Sequence, residues 1–229
     1  MEERSVAEWR KIFNLKYTVK AGSSFITDGV KRIVINKLKT EETDLIIPNK
    51  IGNFEVGRID AYAFQGCKSL TSIVIPESVK DIECSAFLGC SNLSKVEIKN
   101  DSVRIADDAF RGCPRLADEN GFVIVKGHIY GYYGGEKDVV IPDNVSGFSV
   151  TAFSFLKDLE TITIPDNIDE IPLYAFSDCT SLKHVYIHGN LKKIDESAFY
   201  HCNDVTLHAP IGSVAEEYAK KYNLTFQEL

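Results

Sequence analysis

The stretch IVIPESVKDIECSAFLGC at residues 73–90 contains the unit from which this chain is built. The dipeptide Ala-Phe inside it recurs at six places, which begin at Ala63, Ala86, Ala109, Ala152, Ala175 and Ala198. Successive alanines are 23, 23, 43, 23 and 23 positions apart, so a 23-residue unit is used throughout with one insertion of 20 residues. Self-similarity at this period predicts a solenoid, in which each unit buries its apolar face by stacking on its neighbours.

Each unit begins with a strand and continues with a turn. Apolar residues alternate at its start, as at Ile73 and Ile75, which predicts a short β-strand. The proline that follows, such as Pro76, closes the strand because it cannot donate to a ladder. The Ala-Phe-x-Gly-Cys stretch then predicts a helical or 3₁₀ turn. We expect the buried phenylalanines to stack into an aromatic spine.

The repeat divides the chain into five segments, which we interpret as one structural domain. Residues 1–44 are predicted to form an N-terminal cap, in which a helix that contains Trp9, Ile12 and Phe13 is followed by strands at 17–27 and 31–37. Residues 45–116 are predicted to form repeats one to three. Residues 117–138 form a β-hairpin insertion, and residues 139–207 form repeats four to six and the start of a seventh. Residues 208–229 form a C-terminal cap, in which a capping box from Ser213 to Glu216 begins a short helix that runs through Tyr222. Each repeat forms one rung of the solenoid. Both caps are needed because an uncovered rung at either end would expose the core.

The insertion carries a hairpin signature. Apolar residues 122–125 and residues 128–133 flank the dipeptide Lys126-Gly127, which predicts two strands joined by a two-residue turn. Tyr130 and Tyr132 leave two interpretations open. The tyrosines either pack back on the solenoid, or they make the hairpin a projecting recognition finger or a dimer contact.

The cysteines follow the repeat. Five of them lie three residues after a repeat phenylalanine and share one column: Cys67, Cys90, Cys113, Cys179 and Cys202. Leu156 takes the same position in the fourth repeat, which favours reduced and buried thiols that act as small apolar residues. Cys84 lies outside the column, and we expect it to be the exposed thiol.

Composition narrows the range of partners and compartments. A formal net charge of −7 provides no electrostatic attraction to nucleic acid or an anionic membrane, and no apolar run is long enough for membrane insertion. The first residues lack the apolar region of a secretory signal. The localisation is therefore left open, as secreted or cell-surface if a leader was removed and as cytoplasmic otherwise.

Catalytic motifs are missing from the sequence. It contains no phosphate-binding loop, dinucleotide fingerprint, nucleophile elbow or metalloprotease helix motif. We therefore predict no enzymatic activity and no cofactor.

The most interesting surface is the outward row of the strands, taken as the residue between two inward positions of each strand. Its seven members are Ile46, Val74, Glu97, Val140, Thr163, Tyr186 and Thr206. At a spacing of about 4.8 Å per rung, this row would form a strip for a protein or an extended peptide. The alternative is that β-branched residues simply favour strands.

Three histidines lie near that row. His184, His188 and His208 are predicted on the outward side of adjacent rungs, with His188 and His208 in one column. Imidazoles so placed are candidate metal ligands or sensors of mild acid. No carboxylate completes such a site, so we favour ordinary solvated histidines and assign no metal.

The unit resembles the BspA-like leucine-rich repeat family, also called the treponema-type repeat. The I-x-I-P and A-F-x-G-C motifs at the 23-residue step carry this resemblance. It implies a right-handed leucine-rich repeat solenoid with short parallel strands and turn or 3₁₀ backs, from a bacterium or a protozoan. It also implies no catalytic residues and a role in adhesion at the cell surface.

Two functional hypotheses follow from this interpretation. The first is a non-catalytic module that binds a protein or peptide, with bacterial surface adhesion as its use if the protein is exported. The alternative is an intracellular scaffolding protein that self-associates, for example as a homodimer.

Overall fold

Residues 4–17, 32–38, 41–189 and 191–229 are described by the structure, a computed structural model. They fall into two compact units, Met1–Leu116 (unit 1) and Ala117–Leu229 (unit 2). The boundary coincides with the predicted start of the hairpin insertion at residue 117. The interpretation as one structural domain stays a prediction.

Unit 1 combines an N-terminal helix with short strands. In chain order, its elements are α1 (Val6–Ile12), β1 (Phe13–Tyr17), β2 (Ile33–Leu38), β3 (Asp44–Ile46), β4 (Lys50–Ile51), β5 (Phe54–Ile59), β6 (Ser72–Ile75), β7 (Asp81–Ile82), β8 (Lys95–Ile98) and β9 (Arg104–Ile105). A 3₁₀ segment at Pro114–Leu116 ends the unit.

Unit 2 begins with the hairpin and ends with a helix and a strand. Its elements are β10 (Phe122–Val125), β11 (His128–Tyr132), β12 (Asp138–Val140), β13 (Gly147–Phe148), β14 (Thr161–Ile164), β15 (Glu170–Ile171), β16 (His184–Ile187), β17 (Lys193–Ile194), β18 (Thr206–Ala209), α2 (Val214–Tyr222) and β19 (Thr225–Glu228).

The first strands of successive rungs stack in parallel sheets. In unit 1 the order is β3-β6-β8, and in unit 2 it is β12-β14-β16-β18-β19. The second strands of the rungs stack likewise, as β5-β7-β9 and β15-β17. Most neighbouring rungs are offset by the 23-residue period, as in the pair Ile73 and Val96. The predicted solenoid of short parallel strands is confirmed.

The repeat phenylalanines form the predicted aromatic spine in each unit. Phe87 stacks between Phe64 and Phe110, with ring centroids 4.8 and 5.0 Å away. Phe176 stacks between Phe153 and Phe199 at 5.5 and 5.4 Å. Offset stacking at these separations adds about 0.5–1.5 kcal/mol per pair to the effect of burial itself.

The predicted N-terminal cap contains the expected helix, although the helix ends earlier than expected. Ser5 and Glu8 form a capping box at the start of α1, and Phe13 begins β1. The Phe13 ring contacts Phe64 edge-on at 6.1 Å, so the cap closes the spine of unit 1. Residues 18–31 and 39–40 of the predicted cap lie outside the described residues.

The C-terminal cap closes the spine of unit 2. The ring of Tyr218 on α2 meets Phe199 edge-on at 5.9 Å. Ser213 caps α2 by accepting from the Glu216 N–H at 3.3 Å. The predicted capping box is only half formed, because the Glu216 carboxylate accepts from the Gly212 N–H and not from Ser213.

The Ala-Phe-x-Gly-Cys stretches are hydrogen-bonded turns, and the cysteines stabilise them. The Cys90 thiol donates to the Phe64 carbonyl of the preceding rung at 2.9 Å, and Cys179 donates to Phe153 at 3.0 Å. Both thiols are fully buried, and burial raises the pKa of Cys179 to about 12. The thiol therefore supplies a hydrogen bond that a leucine in this column lacks, and Cys84 is exposed as expected.

The hairpin insertion forms as predicted. Lys126 and Gly127 both have positive φ, at 50° and 73°, which is the pattern of a type I′ turn. Tyr130 and Tyr132 are buried, and β11 pairs in parallel with β13. The interpretation in which the tyrosines pack back on the solenoid is therefore confirmed, and the projecting finger is wrong.

Candidate functional site

The predicted outward row of unit 1 is a column across three strands. Ile46 on β3 pairs with Val74 on β6, which pairs with Glu97 on β8. Ile46 is 45% exposed. A hydrogen bond from the Lys99 ammonium lowers the pKa of the Glu97 carboxyl. This column has a mixed apolar and charged character.

The outward row of unit 2 is longer. Val140, Thr163 and Tyr186 pair in register on β12, β14 and β16, as predicted. Val140 is 66% exposed, while the inward residues of the same strands are buried. The seven predicted residues are thus divided between two sheets, one in each unit.

Thr206 lies outside this column, so the prediction for the seventh rung is wrong. It pairs with His184, whereas His208 pairs with Tyr186 and continues the column. Gln227 on β19 follows His208 in register. Thr206 was placed in this column as the residue between the apolar Val205 and Leu207, but the column continues at His208, which is 22 residues after Tyr186.

The sequence contains the signal that would have located this register. Leu207-His-Ala-Pro210 repeats the order of the I-x-I-P motif, and its proline marks the end of the strand. His208 therefore takes the middle position that Tyr186 has in the preceding rung. The prediction that His188 and His208 share a column is wrong for the same reason.

His184, Tyr186 and His208 form a compact cluster on this face. The Tyr186 and His208 rings stack with centroids 4.3 Å apart and planes 17° from parallel. Nδ1 of His184 lies 3.0 Å from Nε2 of His208, a hydrogen-bond distance at which one nitrogen donates and the other accepts. His188 is exposed and takes no part in these contacts.

His208 is buried although it lies on the outer face, because the neighbouring side chains cover it. Burial lowers its pKa, and the nearby His184 lowers it further, since two imidazolium groups would repel. The neutral form of His208 is therefore favoured. The interpretation favoured from sequence, in which the histidines are ordinary solvated side chains, is therefore wrong for His184 and His208.

Charged side chains border this face. Glu160 accepts from the Lys137 ammonium at 2.6 Å and lies 4.0 Å from Lys183 on the following rung. The hydrogen bond with Lys137 lowers the pKa of the Glu160 carboxyl. An apolar and aromatic column with a polar border is the arrangement found in protein-binding surfaces.

Neither a metal centre nor a membrane span is formed by the residues that the structure describes. No group of three or more His, Cys, Asp or Glu side chains among them is arranged to hold a metal ion. Within the same residues, no helix has both the length and the apolar character to cross a bilayer.

A cleft of ≈ 390 Å³ lies in unit 2 between β17 and α2. Charges of both signs line it, from Lys193, Glu196, Glu217 and Lys221. Tyr218 also lines the cleft and donates to the Glu196 carbonyl at 3.2 Å, and burial raises the pKa of its phenol. This contact attaches the capping helix to the last turns of the unit.

A protein-family model described as BspA type Leucine rich repeat region matches residues 40–120 and 128–219, in six copies. A comparison with curated proteins finds no match.

Solved structures also resemble the chain. A leucine-rich repeat protein from T. pallidum is 23% identical, with coverage of 95% of this chain and 96% of that one and a TM-score of 0.52. One from Bacteroides ovatus is 19% identical, with coverage of 93% and 66% and a TM-score of 0.42. A leucine-rich cell surface protein from Faecalibacterium prausnitzii is 15% identical, with coverage of 93% of both chains and a TM-score of 0.34.

Proposed function

The chain belongs to the BspA-type leucine-rich repeat family, and we propose that it is a non-catalytic module that binds a protein or an extended peptide. Its binding face is the outer face of the five-stranded sheet in unit 2. The observation that carries this proposal is the column of Val140, Thr163, Tyr186 and His208, with its stacked pair of rings. Leucine-rich repeats are commonly protein-interaction modules and are typically non-enzymatic.

The physical basis is an anchor that is already ordered before binding. Tyr186 is held against His208, so its ring loses little conformational freedom when a partner covers it. Val140 contributes exposed apolar area at the start of the column. Tyrosine at the centre of a contact, surrounded by groups that exclude water, is typical of the residues that dominate binding energy.

The shorter column of unit 1, formed by Ile46, Val74 and Glu97, is a second contact surface in this proposal. If the protein is exported, the module serves adhesion at the cell surface. If it is retained in the cell, the same face serves a scaffold.

The proposal is tested by panning a random peptide library on the wild-type protein and on the double variant Tyr186→Ala with Val140→Asp. We expect the wild type to enrich a consensus peptide and the double variant to lose most of its affinity for that peptide. Ile211→Asp is the matched control for an added charge at an exposed apolar position, because Ile211 is 65% exposed and lies after the end of β18, outside the sheet. Circular dichroism of each variant verifies folding.

Two outcomes would overturn the proposal. One is an enriched peptide that binds the double variant as well as it binds the wild type. The other is a dimer that persists on dilution in light scattering and dissociates in Val140→Asp, because the face would then be a self-association surface, as in the scaffold hypothesis.

A further inference from the structure

A second surface of unit 2 exposes large apolar side chains on its turns. Phe155, Leu173, Tyr174 and Tyr200 are 58%, 41%, 40% and 52% exposed. They lie in the turns that bury the spine residues Phe153, Phe176 and Phe199, so they occupy successive rungs. Contiguous exposed apolar residues on a folded surface mark interaction sites more often than isolated ones do.

Hydrogen bonds between rungs hold these turns in register. The Phe155 N–H donates to the Ser177 carbonyl at 2.8 Å, and the Asp178 N–H donates to the Tyr200 carbonyl at 2.9 Å. The Tyr200 ring lies 3.9 Å from the His201 ring and 5.9 Å from the Tyr174 ring, centroid to centroid. Phe155, Tyr174, Tyr200, Asp178 and His201 therefore form one continuous surface, which we call the aromatic edge.

The backbone of the aromatic edge is one that glycine would adopt at lower cost. Phe155, Asp178 and His201 have φ of 63°, 60° and 60°. Their counterparts in unit 1 are glycines with the same sign of φ: Gly66, Gly89 and Gly112. A bulky residue in the left-handed region costs free energy that packing or function must offset. Since Phe155 is 58% exposed, burial within unit 2 offsets only part of this cost.

A carboxylate is held in the middle of the aromatic edge. Oδ1 of Asp178 lies 2.9 Å from Nδ1 of His201, and Oδ2 accepts from the Ser177 hydroxyl at 2.7 Å. These hydrogen bonds lower the pKa of the Asp178 carboxyl, so it is ionised at neutral pH. The aromatic faces thus surround a fixed negative charge.

The charge of the surrounding turns has the same sign. Residues 149–159, 172–182 and 195–205 contain one lysine, Lys157, and five carboxylates, which are Asp158, Asp178, Asp195, Glu196 and Asp204. The corresponding turns of unit 1 contain four carboxylates and three basic residues. Acidic groups combined with exposed π faces favour a cationic partner. A second copy of this chain, with its net charge of −7, is the weaker candidate.

We propose that the aromatic edge binds an arginine-bearing segment of a partner protein. A guanidinium group stacks on the Tyr200 or Tyr174 ring, while the carboxylates of the turns pair with its N–H groups. Arginine is preferred to lysine because its planar group combines stacking with bidentate pairing. This surface is separate from the outer face of the five-stranded sheet, and either proposal stands if the other fails.

The experiment measures fluorescence anisotropy of a labelled arginine–glycine repeat peptide titrated with the full chain, at low and at physiological ionic strength. Lysine–glycine and glutamate–glycine peptides serve as probes of the same length. We expect saturable binding of the arginine peptide, weaker binding of the lysine peptide and none of the glutamate peptide. Tyr200→Ser and Phe155→Gly should each weaken binding by about tenfold.

Phe155→Gly restores the residue type that unit 1 uses at this position, so the variant should fold. Tyr62→Ser is the matched control, because Tyr62 is 55% exposed and has φ of 59° at the equivalent of Tyr174.

Three results would overturn the proposal. The first is no binding of the arginine peptide at low ionic strength. The second is binding that the ring variants leave unchanged or that Tyr62→Ser weakens equally. The third is a dimer that Phe155→Gly dissociates, because the edge would then be a contact between copies of this chain.

Discussion

Unit 1 and unit 2 build the same rung and differ in what they add to its turns. In unit 1 the left-handed turn position is glycine in three successive rungs, and in unit 2 it is Phe155, Asp178 and His201. The spine phenylalanines, by contrast, are buried alike in both units. Buried positions of a repeat must fit the same neighbours in every rung, whereas turn and outward positions are free to diversify. The surfaces proposed for binding are built from this second class.

The largest effect on the comparison of the two units is expected at their phenylalanine spines. Phe87→Ala and Phe176→Ala each remove a ring that lies between two others, and each should lower the free energy of unfolding by about 3–5 kcal/mol. We expect the larger loss for Phe87, because its neighbours stack more closely than those of Phe176. Urea unfolding measures both, followed by circular dichroism and by the fluorescence of Trp9, the single tryptophan.

Leu88→Ala supplies the control, because Leu88 lies next to Phe87 on the same turn but is only half-buried and outside the spine. We expect it to cost less than either phenylalanine variant. An equal or larger loss for Phe176→Ala than for Phe87→Ala would contradict the link between stacking distance and stability.

Substitutions at the turn glycines of unit 1 should have a smaller effect on the free energy of unfolding. Gly112 has φ of 76°, and a Cβ there would lie 3.0 Å from backbone atoms of Gly89. Gly112→Ala should therefore lower the free energy of unfolding by about 1–3 kcal/mol. Gly66 has φ of 67° and nothing within 4 Å of its Cβ position, so Gly66→Ala should cost only about 1 kcal/mol.

Gly66 and Gly112 share the left-handed backbone conformation, but only a Cβ at Gly112 comes close to the neighbouring turn. The difference between the two losses of unfolding free energy therefore measures the cost of that close approach. Equal unfolding midpoints in urea would show that the approach of the turns adds nothing to the conformational cost.

The smallest effect is a pH dependence confined to the outer face of unit 2. The folded pKa of His208 is lowered by burial and by His184. The unfolded chain therefore takes up a proton first as the pH falls. The contribution of His208 to stability is full above the unfolded value of about 6.5 and is lost as the pH drops below it. Tyr186 stacks on His208, and the neutral Gln227 follows His208 in register on β19.

Urea midpoints measured on both sides of that pH provide the check. His208→Gln should unfold with a weaker pH dependence than the wild type, and His188→Gln, at an exposed position, should keep the wild-type dependence. A wild type and His208→Gln with the same dependence would contradict the assignment.

Much of the fold could be predicted because the period is explicit. The Ala-Phe spacing located the rungs, and Lys126-Gly127 located the hairpin turn. The register of the seventh rung was assigned wrongly because Val205-Thr-Leu207 has the same apolar alternation as the start of a unit. The 23-residue count does not locate His208 either, since one residue is missing before Leu207. The end of α1 was also misplaced, because Phe13 is apolar in either a helix or a strand.

The candidate site was predicted less completely. Val140, Thr163 and Tyr186 share a column, as predicted. The next residue of that column is His208, which is buried and whose ring stacks on Tyr186. The aromatic edge was not anticipated, because the repeat predicts burial only at the positions that recur in every unit. Burial of Phe153 followed from its place in the Ala-Phe dipeptide, whereas the exposure of Phe155, two positions later, is seen only in the fold.

Sequence alone determined the repeat, the order of strand and turn in each rung, the absence of catalytic motifs and the column of cysteines. These features follow from spacing and residue type, which are local properties of the chain. The tertiary structure decided which thiols donate to which carbonyls, which imidazoles meet, and which turn residues remain exposed. Those contacts join residues about one repeat apart, and small shifts in register change them, so they are set only when the rungs stack.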